Sequence, residues 1–342
     1  MKISIFTGCV IPIKYPGMEA AVRRIAPMLG IELVDVKFGC CPSPVGLKSV
    51  HFDAWLALAA RNLCLTEEKG LDVVTICSGC TNTLKETDHI LARDEKKRLF
   101  VHDMLRRSGR TFRGGMKIHH LPELLAGEEV LDRMEGRLAR PLRGLRIGTH
   151  YGCHYHRPAE VMAAGASRAD AIGGAAATPM ASPLPQDMEI ILETLGAEVT
   201  EYNRQDLCCG AALSINTGAS AQSLAIADEK LGWMREANLD ALAVSCPACF
   251  TQFDTGQLLL SRRAASGGGT GFSSAWGDHA PPDAPGGDAP GAGQGQRKTS
   301  AVEGKRAIPV FHIAELVAYA LGMEPAEMDL GSHKIKASWV GR

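Results

Sequence analysis

Leu71-Asp72-Val73-Val74-Thr75-Ile76-Cys77-Ser78-Gly79-Cys80 decides how this chain folds, and Leu239-Asp240-Ala241-Leu242-Ala243-Val244-Ser245-Cys246-Pro247-Ala248-Cys249 repeats it. Each stretch opens on a nearly continuous apolar run, the pattern of a strand buried on both faces of a parallel sheet. Each closes in Cys-x-x-Cys, with the first cysteine at the strand's C-terminal end and the second opening a helix. In an open α/β sheet that strand end lines the crevice where ligands bind.

Working outward, every such strand has companions. Cys9 follows the β-branched run Lys2 to Thr7, and Cys40-Cys41 follows the alternating run Ile31 to Lys37. In the second half Cys153 follows Leu145 to His150, and Cys208-Cys209 follows Ala197 to Tyr202. Thirty residues separate Cys9 from Cys40 and thirty-five separate Cys41 from Cys77; the later gaps are fifty-four and thirty-six. Ten of the eleven cysteines fall into these two sets, leaving only Cys64. A match without cysteines, Ile118 to Leu124 against Val310 to Leu316, supports duplication independently. Helical periodicity marks Gly17 to Leu29 (shortened by Pro27), Phe52 to Glu68, Asp187 to Leu195 and Ala219 to Glu236. The expectation is an α/β fold of two tandem, pseudo-symmetric domains, 1–142 and 143–342, each with a Rossmann-like parallel sheet. Two stretches break the symmetry. Gly165 to Pro185 accounts for the longer gap, and Ala264 to Lys305, dense in Gly, Pro, Ala and Asp, reads as a flexible surface insertion (264–305).

Composition narrows the chemistry. A net charge of −1 over 342 residues gives no footprint for nucleic acid. No run of about twenty apolar residues exists, so no direct membrane insertion is expected. Phe6-Thr7-Gly8-Cys9 loosely resembles a lipoprotein cleavage site, but the apolar stretch before it is too short, and Cys9 has an internal counterpart in Cys153. Adjacent and closely paired cysteines in a chain this large point to metal or redox chemistry in a reducing, cytoplasmic setting rather than to a disulfide framework.

Structural zinc takes four ligands, and zinc in one half could use four of the five cysteines. Ordinary [4Fe–4S] clusters also take four thiolates. Neighbouring residues point in different directions, so an adjacent Cys-Cys pair suits a larger or open iron–sulfur assembly in which one thiolate bridges two irons.

With Gly8-Cys9-Val10-Ile11-Pro12, Tyr15-Pro16, Trp55 to Asn62, Gly152-Cys153-His154, Cys208-Cys209-Gly210-Ala211 and Cys246-Pro247, the sequence resembles the B subunit of heterodisulfide reductase, a family of two cysteine-rich CCG domains. The likeness covers the chain apart from the two insertions. Pro42 departs from it, following the first doublet where Gly210 follows the second. The resemblance implies a noncubane [4Fe–4S] cluster in each half, held by Cys9, Cys40, Cys41, Cys77 and Cys80 and by Cys153, Cys208, Cys209, Cys246 and Cys249. It implies reduction of a small mixed disulfide, of the coenzyme M–coenzyme B type, bound between the clusters. The partners implied are a ferredoxin-like C subunit and a flavin-bearing A subunit, since this chain has no nucleotide motif. Two alternatives stay open: a CCG electron-transfer subunit of another oxidoreductase, of the thiol:fumarate reductase or lactate/glycolate oxidase type, and a zinc-stabilised relay module.

Beside the cysteines, His154 is a candidate proton donor to a leaving thiolate, or else a hydrogen-bond donor to a cluster sulfur. His156, Arg157 and Lys14 are candidates for the mouth of the site, with ordinary surface placement as the alternative. His120 and His312, each three residues before a Glu, read as helix-capping or packing residues. Cys64 reads as a buried, inert thiol.

Overall fold

The computed structural model describes residues 1–162, 186–266 and 306–341. Two four-stranded sheets carry the fold. The first contains β1 (Lys2–Phe6), β2 (Glu32–Asp35), β3 (Val73–Thr75) and β4 (Ile118–His120) in the order β2-β1-β3-β4. The second contains β5 (Arg146–His150), β6 (Glu198–Val199), β7 (Ala241–Val244) and β8 (Val310–His312) in the order β6-β5-β7-β8. Every pairing is parallel, and the registers match: Phe6 pairs with Thr75 and Thr75 with His120, as His150 pairs with Val244 and Val244 with His312. Every residue of β3 and of β7 is buried, as their apolar runs require.

The helices form where the spacing placed them: Pro16–Met28, Phe52–Glu67, Asp187–Thr194 and Ser220–Glu236. Pro27 stands at the next-to-last position of the first, which ends there. Three boundaries need correcting. β6 is two residues long rather than spanning Ala197 to Tyr202, because Tyr202 turns under the sheet and donates its hydroxyl to the Thr149 carbonyl at 3.1 Å. β2 is four residues rather than Ile31 to Lys37. The helix Pro247–Ala265 runs into the stretch read as low-complexity, since Ala264 and Ala265 are good helix formers. Gly165 to Pro185 and residues 267–305 lie outside the described residues.

The matched tails do what their spacing predicts. Glu123 accepts from the His120 backbone N–H at 2.8 Å, and Glu315 from that of His312 at 2.8 Å, so each begins a helix, Leu121–Leu125 and Ile313–Ala320. Each of these helices then packs on the other half: Leu121–Leu125 against Asp187–Thr194, and Ile313–Ala320 against Pro16–Met28. The halves are tied further by Tyr15 Oη to Thr251 Oγ1 (2.5 Å) and by Asn82 Nδ2 to the Arg157 carbonyl (2.7 Å). The chain end, unexplained by sequence, is held by Asp254, whose carboxylate accepts from the Lys334 and Ile335 N–H groups at 2.9–3.0 Å. Trp339 packs there on Phe311 and Tyr319. No helix among the described residues is long and apolar enough to cross a membrane.

Candidate metal centre

The C-terminal ends of β1, β2 and β3 aim Cys9, Cys40-Cys41 and Cys77 at one edge, and β5, β6 and β7 do the same for their counterparts. The Cys-x-x-Cys units cap helices. Cys77 is the N-cap of Ser78–Arg93 and Cys246 that of Pro247–Ala265, so Cys80 and Cys249 lie in the first turns. There the helix dipole favours negative charge.

Each doublet splits as adjacent residues must. Cys41 and Cys209 are buried, while Cys40 is exposed and Cys208 half-buried. The ten sulfurs follow one another in a run of electrostatic neighbours, and three of its steps are hydrogen bonds by geometry, Cys80 to Cys41, Cys209 to Cys249 and Cys153 to Cys208. In the first half it passes Cys9, Cys40, Cys41, Cys80 and Cys77. It crosses to the other half at Cys77–Cys246. It then continues through Cys249, Cys209, Cys208 and Cys153. The order is palindromic, with the pseudo-two-fold axis between Cys77 and Cys246. The sulfur–sulfur separations are 3.0 Å for Cys41–Cys80, 3.4 Å for Cys209–Cys249 and 3.8 Å for Cys153–Cys208. None of the cysteines is in a disulfide.

Protons are shared unequally along this run. Hydrogen bonds from Cys40 and then Cys80 draw Cys41 down to about 4, and those from Cys153 and then Cys209 draw Cys208 down to about 2. Cys249 and Cys77 hold Cys246 well below an ordinary thiol. The donors are pushed up in turn: Cys40 by Cys41, and Cys80 by Cys41 and then Cys77. Sulfurs that lower one another's pKa at Cys41, Cys208 and Cys246 suit a soft metal or iron–sulfur group, which binds the deprotonated form.

Two glycines not singled out by sequence make room for the sulfurs. Gly8 (φ +70°) and Gly152 (φ +80°) precede Cys9 and Cys153, and a Cβ on either would stand 3.0 Å from the sulfur of Cys80 or Cys249. His150 was also missed. It is fully buried, neither ring nitrogen has a hydrogen-bond partner, and its ring lies edge-on to Phe253. One of its nitrogens and the sulfurs of Cys209 and Cys249 lie within 4.8 Å of one another. Burial drives its pKa down to about 3, so the imidazole is neutral. Its only sequence signal is that Phe6 occupies the matching position.

His154 is half-buried, with Nδ1 3.9 Å from the Cys153 sulfur. His156 turns inward against Tyr151, and burial lowers it to about 4. Arg157 and Lys14 are exposed. His312 is a buried cap whose Nε2 donates to the Ile76 carbonyl at 3.2 Å, next to Cys77. Cys64 is buried away from the run, and burial raises it to about 12.

The cysteine-rich CCG domain model matches twice, over residues 3–85 and 147–254, together more than half of the chain. The chain belongs to the cysteine-rich CCG domain family. Within this CCG family it is 29% identical, over 98% of its length and 94% of the relative's, to the B subunit of a ferredoxin/F420H2-dependent CoB-CoM heterodisulfide reductase from Methanosarcina acetivorans. It is 26% identical over 96% of its length, and 93% of the relative's, to a protein from Archaeoglobus profundus described as like the B subunit of heterodisulfide reductase. It is also 24% identical over 99% of both chains to the 8-methylmenaquinol:fumarate reductase membrane anchor subunit of Wolinella succinogenes. A crystal structure of a hypothetical protein from Helicobacter pylori shares the CCG chain's fold, with a TM-score of 0.62 at 11% identity, covering 99% of this chain and 53% of that one.

Proposed function

We propose that this chain is the iron–sulfur, disulfide-reducing subunit of a heterodisulfide-reductase-like oxidoreductase complex. The observation that carries the reading is the pairing of two five-cysteine sets about one axis, where Ser78, beside Cys77, and Ser245, beside Cys246, share a hydrogen bond at 3.2 Å. Cys9, Cys40, Cys41, Cys77 and Cys80 would hold one noncubane [4Fe–4S] group, and Cys153, Cys208, Cys209, Cys246 and Cys249 the other. Paired groups of this kind supply two electrons, one from each, to cleave a disulfide. The protein's own residues would hold those groups, and they bury Cys41, Cys80, Cys209, Cys246 and Cys249 while leaving the outer rim at Cys9 and Cys40 open to solvent. His154, beside Cys153, would give a proton to the departing thiolate.

Electrons would come from a flavin-bearing A subunit and a ferredoxin-like C subunit, in the cytoplasm, where thiols stay reduced. The family's full-length relatives are named as subunits of such reductases, which supports this. The fumarate reductase relative supports a second reading, an electron-transfer subunit that itself reduces no disulfide.

Metal and acid-labile sulfide on anaerobically purified protein test the first reading, with EPR after partial oxidation in the presence of a thiol. About eight irons and no zinc are expected. About four irons with one zinc would remove the paired-cluster reading. His154→Gln should keep its iron and lose roughly ten-fold or more in disulfide reduction with an artificial reductant, in line with general-acid contributions. Unchanged turnover would assign the proton to water.

A further inference from the structure

The two sulfur sites are equal in thiolates but not in what surrounds them. Strand register makes Phe6 and His150 equivalent, since each pairs with the last residue of the adjacent central strand. His150 brings an unpartnered, buried imidazole to Cys209 and Cys249; Phe6 brings none. The helices Phe52–Glu67 and Ser220–Glu236 align through Leu56-Ala57-Leu58-Ala59-Ala60-Arg61-Asn62-Leu63 and Leu224-Ala225-Ile226-Ala227-Asp228-Glu229-Lys230-Leu231, so Asn62 matches Lys230. Both side chains brace the loop before a doublet. Asn62 accepts from Gly39 N–H and donates to the Cys40 carbonyl, both at 2.9 Å. Lys230 Nζ donates to the carbonyls of Arg204, Gln205 and Leu207 at 2.8, 3.2 and 2.8 Å. The second doublet therefore sits over a buried ammonium, 1% exposed, and the first over a neutral amide. Finally, the Gly210 N–H donates to the Cys208 sulfur at 3.3 Å, whereas Pro42 at the matching position has no N–H.

Three equivalent positions thus differ in the same direction. Building on the paired-cluster reading, we infer that His150, Lys230 and the Gly210 N–H tune the C-terminal-half cluster, raising its reduction potential relative to what the same five cysteines would set alone. Reduction adds one electron and makes or breaks no bond to the protein. The electron comes from the partner subunits, or from dithionite in a titration, and the added negative charge is stabilised by the Lys230 ammonium, by the Gly210 N–H on the Cys208 sulfur and by the dipole of the unpartnered His150 ring beside Cys209 and Cys249. Lys230 Nζ is held on the Leu207 carbonyl, one residue before Cys208, and the charges that act on it are Cys209, Cys249, Cys208 and exposed Asp206, which solvent screens. Water at exposed Cys9 and Cys40 acts on the other cluster, so the tuning is read as the movement of one midpoint rather than as the order of the two.

The test is an anaerobic redox titration of the iron-loaded full chain, followed by EPR and visible absorbance. Iron and sulfide are counted for each variant. Lys230→Asn and His150→Phe, which install the first-half residues, should each lower the same single midpoint and leave the other in place, and Lys230→Arg should restore it. The reciprocal changes Phe6→His and Asn62→Lys should raise the other midpoint. Variants that keep about eight irons while neither midpoint moves, or while both move together, overturn the tuning. A wild-type chain without two reducible centres overturns the paired-cluster reading itself, and the tuning falls with it. The reciprocal pair keeps the question answerable if loss of Lys230 releases the loop.

Discussion

Gly8 and Gly152 make room at the backbone for sulfurs supplied forty or more positions away. Their positive φ costs a side-chain-bearing residue about 1–2 kcal/mol. Their hydrogens also face the Cys80 and Cys249 sulfurs, where a methyl would stand 3.0 Å away. Gly8→Ala should therefore displace Cys80 and empty one site, leaving about half the wild-type iron and sulfide per chain; full iron content would show that the cysteine can retreat. Cys64→Ala is the contrasting case. Its thiol is buried and apart from the run, so iron should be unchanged and unfolding in denaturant should move by about 1 kcal/mol. The gathering of ten cysteines at two strand edges was legible because one residue type recurs at repeated spacing after each strand. Gly8, His150 and Lys230 were not, because their roles depend on which sulfur or carbonyl the fold sets beside them.

At the scale of elements, the duplicated strand–tail units carry a pH dependence. His120 ends β4, is fully buried against the Tyr155 ring, and is lowered to about 3 by burial and then by His312. In the unfolded chain it titrates near 6.5. Between those values the unfolded state binds the extra proton, so acid favours unfolding. The contribution is complete above about 6.5 and declines by up to roughly 1.4 kcal/mol per pH unit as pH falls toward 3. Denaturant unfolding at pH 7 and pH 5 should show wild type losing more stability than His120→Phe over that step. Equal losses would place the ring in contact with water. The elements themselves were mostly readable from periodicity, because β3, β7 and the long helices are buried on fixed faces. The edge strands β2 and β6 came out shorter, since their ends are decided by tertiary contacts such as Tyr202 under Thr149 rather than by alternation. The helix Ala211–Thr217 after the second doublet had no periodicity long enough to show.

For the molecule as a whole, sequence suggested two domains, and we propose that 1–142 and 143–342 are duplicated units that fold only together. Each packs the helix that follows its last strand against the other, Leu121–Leu125 from the first half and Ile313–Ala320 from the second. Ile313–Ala320 is buried at all eight positions and packs on Pro16–Met28 of the first half, whose Met18, Val22 and Ile25 are buried. Full exposure of such side chains costs about 1.5–3 kcal/mol each. Baring only three of them would consume roughly 5–9 kcal/mol, comparable with the whole stability of a domain. The sulfur run has the same logic, since Cys77 has its outer neighbour, Cys246, across the axis. Residues 1–142 expressed alone should therefore show no cooperative thermal transition and hold no stable iron. Co-expressed with 143–342, they should be recovered as a complex with the iron content of the intact chain. A cooperative transition with about four irons in the isolated first half would mean that each site is built within its own half, and that the crossing helices add stability without being needed to form it.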